Sequence, residues 1–89
     1  MKNATAAVIE KGGRVLIALR AKDDFWEFPG GRIDEGESPE ECVIREIKEE
    51  LNIEIAVEKF LGKVQGFYRY TDMVIDVFYC SWIAGELAL

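Results

Sequence analysis

The sequence predicts a small α+β domain in which one amphipathic helix is set among strands around a single core. Three observations carry that expectation. Apolar runs with strand character stand on both sides of residues 38–51. Residues 38–51 themselves repeat at helical spacing. A chain of 89 residues buries only enough surface for one core, so residues 1–89 read as a single domain.

Thr5-Ala6-Ala7-Val8-Ile9-Glu10 reads as the first strand and Arg14-Val15-Leu16-Ile17-Ala18-Leu19-Arg20 as its hairpin partner. Lys11-Gly12-Gly13 between them supplies the positive-φ residues of a short turn. Residues 21–24 read as a polar loop. Phe25-Trp26-Glu27-Phe28 is a brief apolar edge, and Pro29-Gly30-Gly31 is expected as a turn with tight backbone demands. Ser38 fits a helix N-cap, Pro39 the first helical position, and Glu41 completes an S-x-x-E capping box. Val43, Ile44, Ile47 and Leu51 form the buried stripe. Asn52 sits where the helix should stop, and asparagine tolerates the left-handed conformation used there. Ile53, Ile55 and Val57 begin a further strand towards Phe60 and Leu61. A long hairpin is expected after it, residues 62–70 and 73–83, turning at Thr71-Asp72. Its second arm is apolar on both faces, as a central strand is.

Bulk properties remove several function classes. The chain has no histidine, and Cys42 and Cys80 share no metal-ligand spacing, which argues against zinc and against Ser–His or Cys–His triads. Both cysteines are expected as reduced, buried side chains. No apolar stretch approaches the roughly 20 residues of a membrane span and no signal peptide begins the chain, so the expected setting is cytoplasmic with no membrane partner. The net charge is −6, and residues 32–54 hold all of it, with nine acids against three bases. Such a patch repels a nucleic-acid polymer unless divalent cations intervene.

The placement of those acids on the helix matters. With Val43 set at zero, Ile47, Leu51 and Ile44 fall at about 40°, 80° and 100°, while Glu50, Glu46 and Glu49 fall at about 340°, 300° and 240°. The three glutamates therefore run along one border of the buried stripe. Glu46 and Glu50, at i and i+4, repel one another. On geometry alone the row fits either a solvated acidic face or a site for a hard divalent cation such as Mg²⁺ or Mn²⁺.

Spacing adds a further signal. Gly31, five residues, Glu37, seven residues, then Arg45-Glu46-Ile47-Lys48-Glu49-Glu50-Leu51-Asn52-Ile53 resembles the Nudix box, G-x5-E-x7-R-E-U-x-E-E-x-G-U with U aliphatic. Chance produces such a match in a chain this rich in glutamate on the order of once in ten thousand. Asn52 departs from the family's glycine. Trp26-Glu27-Phe28-Pro29-Gly30-Gly31-Arg32-Ile33 and residues 68–83 also resemble the MutT-like branch of these hydrolases.

The resemblance implies a Nudix-type α/β/α sandwich with a mixed sheet, and Mg²⁺-dependent hydrolysis of phosphoanhydride bonds in nucleoside diphosphate or triphosphate derivatives. It implies that Glu46, Glu49 and Glu50 ligate Mg²⁺ (or Mn²⁺) with the Gly30 carbonyl, and that Glu46 orients or deprotonates the attacking water. Arg45 would point away from the metal edge and pair with Glu37 or Glu49, and Gly31 and Glu37 would support the loop. Arg20, Arg32, Phe28 and Tyr70 are candidates for substrate contacts, although surface charge explains the arginines nearly as well and core packing is the commoner fate of a strand aromatic. In the family a further strand and helix follow the segment resembling 82–87, so the domain is expected to lack its C-terminal strand and helix. One sheet face would then be bare unless association with a second copy covers it. The alternative function is a Nudix-fold nucleotide-binding or interaction module with little or no turnover.

Overall fold

The computed structural model describes residues 2–20, 25–68 and 71–87. The expected loop 21–24 and Tyr70 lie outside them. β1 (Lys2–Lys11) is followed by Gly12 and Gly13 with φ of 59° and 78°. β2 (Arg14–Val15) then returns antiparallel, pairing Glu10 with Val15 and Lys11 with Arg14. Two successive positive-φ residues give the turn whose twist matches its flanking strands. The strand expected over 14–20 does not run through. It breaks at Leu16-Ile17, where Leu16 packs against the core and its amide donates to the Ile9 carbonyl at 2.9 Å. The chain resumes as β3 (Ala18–Arg20), which pairs with β4 (Phe25–Glu27) in a two-stranded ribbon.

β5 (Gly30–Arg32) corrects the expectation of a turn. Gly30, Gly31 and Arg32 pair antiparallel with Ala6, Thr5 and Ala4. The glycines serve a close approach of backbones: a Cβ on Gly30 would stand 2.1 Å from the Thr5 carbonyl oxygen and 2.8 Å from the Ala6 Cα.

α1 (Pro39–Leu51) has both halves of its capping box in place. The Glu41 amide donates to Ser38 Oγ at 3.1 Å, and the Ser38 amide donates to the Glu41 carboxylate at 2.9 Å. Asn52 ends the helix at φ 61°, ψ 28°, with its amide donating to the Lys48 carbonyl. The substitution of asparagine for glycine thus leaves the left-handed cap intact.

β6 (Ile53–Tyr68) runs without a break through the two segments expected separately, absorbing three register shifts on the way. β7 (Thr71–Gly85) pairs with it antiparallel, and Thr71 and Asp72 already face Tyr68 and Phe67. Thr71 and Asp72 are therefore strand residues rather than the turn expected there. β7 also pairs parallel with β1, from Lys2–Met73 to Ile9–Cys80. The sheet order is β2-β1-β7-β6, with β5 sharing the β2 edge of β1. The sheet is mixed and β7 is central, both as expected.

Alternation along the strands sends Ala7, Ile9, Phe78, Cys80, Ile53 and Ile55 to one face, where Val43 and Ile47 of α1 meet them in the core. Burial of this kind stabilises by about 1.5–3 kcal/mol for each large side chain. Both cysteines are free and buried. Cys42 joins helix to sheet, its Sγ lying 3.2 Å from Thr5 Oγ1. No helix among the described residues covers the opposite sheet face, and none is long and apolar enough to cross a membrane.

Candidate active site

Arg45 organises the box. Its Nε and Nη2 donate to the two carboxylate oxygens of Glu37 at 2.6 and 3.0 Å, a bidentate pair. Nη2 also donates to the Arg32 carbonyl at 3.2 Å and stands 3.3 Å from Asp34. Nη1 donates to Glu46 at 3.0 Å and to Glu49 at 3.3 Å. One planar fork therefore ties the loop at 32–37 to the helix. The pairing with Glu37 and Glu49 is as expected, but the direction is not: Arg45 does not point away from the glutamate edge, because Nη1 reaches two of its members. The Glu37 carboxyl is held down to about 2, first by the Arg45 hydrogen bond and then by the Asp34 amide. The same contacts push the Arg45 guanidinium up.

Glu46 is more enclosed than helical angles suggested. Cys42, at about 260° on the same wheel, is fully buried, while Ile44, placed in the stripe, is 40% exposed. The helix is thus turned towards β5, and Glu46 falls inside the buried arc, its side chain 18% exposed. Its carboxylate lies on the backbone of Gly31: a Cβ there would stand 2.3 Å from the Glu46 carboxyl carbon. The Gly31 of the box is therefore a cradle for the glutamate carboxylate fifteen residues on. Glu49 is mostly exposed.

The Glu50 carboxyl is pushed up to about 7, first by burial of the carboxyl end and then by its hydrogen bond and repulsion with Glu46. Glu27 and Glu49 add further repulsion. Two carboxyls sharing a proton are the arrangement that a hard dication relieves. Among the described residues no three acids converge as a ready-made ion site; Arg45 draws Glu49 aside. The donor set nevertheless fits a divalent cation, since carboxylate oxygens crowd one edge and one of them retains a proton near neutrality.

The sequence model of the NUDIX domain family matches residues 1–88. The chain belongs to the Nudix family. It is 39% identical over 69 residues to the CTP pyrophosphohydrolase of Escherichia coli K12, covering 73% of this chain and 51% of that protein. It is 45% identical over 58 residues to the RNA pyrophosphohydrolase of Ectopseudomonas mendocina, covering 65% and 36%. The solved MutT Nudix hydrolase of Burkholderia pseudomallei superposes with a TM-score of 0.83 at 32% identity, covering 99% of this chain and 72% of that one. The chain spans about half or less of the length of these curated relatives. Nudix hydrolases generally use divalent metal ions.

Within this Nudix domain, Glu37, Arg45, Glu46, Glu49, Glu50 and Gly31 come together, as the box spacing implies. Gly30 is fixed beside them by pairing with Ala6. Arg32 is not part of that group. Its side chain lines a cleft of about 450 Å³ with Lys2, Asn3, Asp34, Glu35, Glu37 and Asp76, which includes none of Glu46, Glu49 and Glu50. Phe28 follows β4 and is 47% exposed, so core packing does not account for it. Tyr70 and the side chain of Arg20 lie outside the described residues. Glu27 was missed. It is an acid in an otherwise apolar run, and the β3–β4 ribbon brings its charge to bear on Glu50. Asp76 was missed as well: it is buried in β7 and paired with Lys63 of β6 at 2.6 Å.

Proposed function

We propose that this Nudix domain hydrolyses phosphoanhydride bonds in nucleotide derivatives with Mg²⁺, in the manner of the MutT-like branch. The observation that carries the reading is the Glu46 carboxylate, cradled on Gly31, fixed by Arg45 and repelling Glu50. Glu46, Glu49, Glu50 and the Gly30 carbonyl would hold the ion. When bound, the ion supplies neutralisation of the polyphosphate and stabilisation of charge on the leaving group.

The residues of the chain do the rest. Glu46 is positioned by Arg45 and by its place on Gly31, which suits a group that orients a water or takes its proton. Arg45 keeps its grip on Glu37 through Nε and Nη2, so Nη1 can release Glu49 without freeing the loop. Glu50, raised to about 7, would hold the ion in its deprotonated form. Exposed Phe28 offers a face for a base, and Arg20 and Tyr70 complete the proposed substrate contacts.

A panel of nucleoside triphosphates, nucleoside diphosphate derivatives and a 5′-triphosphorylated RNA oligomer, assayed with Mg²⁺ for released phosphate or pyrophosphate, tests this. Turnover of at least one member is expected; none would exclude the reading. The last member is included because relatives are named for RNA as well as for CTP.

A second reading, a nucleotide-binding module with little turnover, is favoured by the hold of Arg45 on Glu46 and Glu49. Calorimetry showing nucleotide binding with Mg²⁺ but no product would select it.

A further inference from the structure

We propose that the buried Thr5 hydroxyl and Cys42 thiol are positioning residues for the glutamate edge: together they set the spacing between α1 and β5 that lays Glu46 on Gly31. The proposal rests on the hydrolytic function proposed for the same site. It adds two groups that belong neither to the ion's ligand set nor to the substrate contacts.

Thr5 and Asp76 are the buried polar side chains among the described residues. The register puts them in one row, in which Gly31 of β5 pairs with Thr5 of β1 and Thr5 with Asp76 of β7. A buried hydroxyl costs free energy unless it is paired. An apolar side chain of the same shape would serve stability nearly as well, so the value of the hydroxyl lies in what it touches.

It touches the site. Thr5 Oγ1 lies 3.2 Å from Cys42 Sγ and donates to the Gly31 carbonyl at 3.4 Å. Cys42 Sγ is 3.4 Å from the Arg32 carbonyl oxygen and 3.6 Å from that of Gly31. The same Gly31 carries the Glu46 carboxylate. Cys42 and Glu46 stand four residues apart, so they share one side of α1 and both face β5. The thiol and the hydroxyl therefore fix the helix against the strand one turn before the reacting carboxylate.

The spacing has little slack. A methyl group sits about 3.5–4.0 Å from its neighbours, so a methyl in place of the Thr5 hydroxyl makes Cys42 Sγ recede by about 0.5 Å. Cys42 is fully buried, and the turn of helix that carries it also carries Glu46. A catalytic group tolerates displacement of about 0.5 Å at most, and about 1 Å costs on the order of 100-fold in rate.

Thr5→Val, Thr5→Ser, Cys42→Ala and Cys80→Ala, each against the parent, provide the test. The readouts are Mg²⁺-dependent hydrolysis of the best nucleotide substrate, calorimetric Mg²⁺ binding without nucleotide, and urea unfolding. Thr5→Val keeps the shape of the side chain; its urea midpoint should stay near the parent's while kcat falls about 10-fold with KM unchanged. Thr5→Ser keeps the hydroxyl and loses a buried methyl, so it should unfold earlier in urea yet turn over at the parent rate. That inversion of stability and activity is not the behaviour of a merely structural residue. Cys42→Ala should lose kcat as Thr5→Val does. Cys80→Ala, at the other fully buried cysteine, whose sulfur meets the Phe78 carbonyl, should lose stability and keep kcat. Mg²⁺ affinity should fall about 10-fold in Thr5→Val and Cys42→Ala and hold in Cys80→Ala. If Thr5→Val does not fold, Cys42→Ala against Cys80→Ala decides by the same criteria. Thr5→Val at the parent kcat, or activity that tracks stability across the set, overturns the proposal. A parent without turnover on any nucleotide fails the hydrolase reading instead, and the positioning is then judged on Mg²⁺ affinity: equal affinity in parent and Thr5→Val overturns it, and a parent that binds no Mg²⁺ overturns both.

Discussion

Neighbouring glycines in β5 give opposite predictions when each is replaced by alanine. At Gly30 the new Cβ would stand 2.1 Å from the Thr5 carbonyl oxygen and 2.8 Å from the Ala6 Cα, both backbone atoms of β1. Neither can yield without separating the paired strands, so the substitution is an overpacking event costing about 2 kcal/mol. For a domain of this size that lowers Tm by roughly 8–16 °C. At Gly31 the obstruction is different. The atoms met are the Glu46 carboxyl carbon at 2.3 Å and its oxygens at 2.5 and 2.7 Å, the end of a flexible side chain. Restoring ordinary contact moves that carboxylate by about 1–1.5 Å, at a stability cost of roughly 0.5 kcal/mol or less. Misplacement of about 1 Å in a reacting group costs on the order of 100-fold in rate. Thermal unfolding and Mg²⁺-dependent nucleotide hydrolysis, measured on both variants, should therefore separate: Gly30→Ala loses stability, whereas Gly31→Ala keeps it and loses activity. A Gly31→Ala protein that turns over at the parent rate would refute the cradle.

Further outcomes follow from the helix cap and the glutamate edge. Asn52→Ala places a Cβ without asparagine's local hydrogen bonding at φ 61° and should destabilise by about 1 kcal/mol in urea unfolding, with Asn52→Gly at or above the parent. Arg45→Lys keeps the charge but cannot span Glu37, Glu46, Glu49 and the Arg32 carbonyl; a lower urea midpoint than the parent's is expected in the same assay. The pH dependence runs in two directions. Glu50, raised from 4.5 to about 7, favours folding below about pH 4.5 and loses that contribution as pH climbs to 7. The loss is about 1 kcal/mol after allowing for its solvent exposure. Glu37, lowered to about 2, contributes above pH 4.5 and loses its contribution as pH falls towards 2. Unfolding curves from pH 2 to 8 should show both limbs, and Glu50→Gln should flatten only the upper one; an upper limb unchanged in that variant would contradict the assignment. Added Mg²⁺ should stabilise increasingly from pH 5 to 8, since the carboxyls must lose their proton to bind it.

What was legible in the sequence depended on how local the cause was. Ser38, Pro39 and Glu41 specify the helix start through contacts within four residues, and Gly12-Gly13 specify a hairpin through their own dihedral freedom. Both stand as read. Asn52 likewise ends the helix as its chemistry allows. The misreadings at 29–31 and 14–20 involve partners distant in the chain. Pro29-Gly30-Gly31 looked like a turn because glycine's use as a close-approach residue shows only when β1 is beside it. The strand at 14–20 splits because Leu16 is drawn to the core while Ala18–Arg20 find β4.

At the site, box spacing anticipated that Glu37, Arg45, Glu46, Glu49 and Glu50 would share one edge of the helix and its loop. The rotation of the helix did not follow from apolar residues alone, because Cys42 is held against Thr5 and leaves Ile44 outside. That rotation is what encloses Glu46. It also turned Arg45 towards the glutamates rather than away from them, and a folded ribbon was needed before Glu27 could be seen to act on Glu50.

The most direct measurement of the central claim is the turnover of Glu46→Gln against the parent, with saturating Mg²⁺ and the best nucleotide substrate. The substitution is nearly isosteric, so the contact with Gly31 and the fold, followed by circular dichroism, should persist. Loss of a positioned base lowers kcat by about 100-fold to 10,000-fold. A fall in that range with the fold unchanged is the predicted result. A Glu46→Gln protein hydrolysing the substrate at the parent rate would contradict the assignment of this helix edge as the catalytic site.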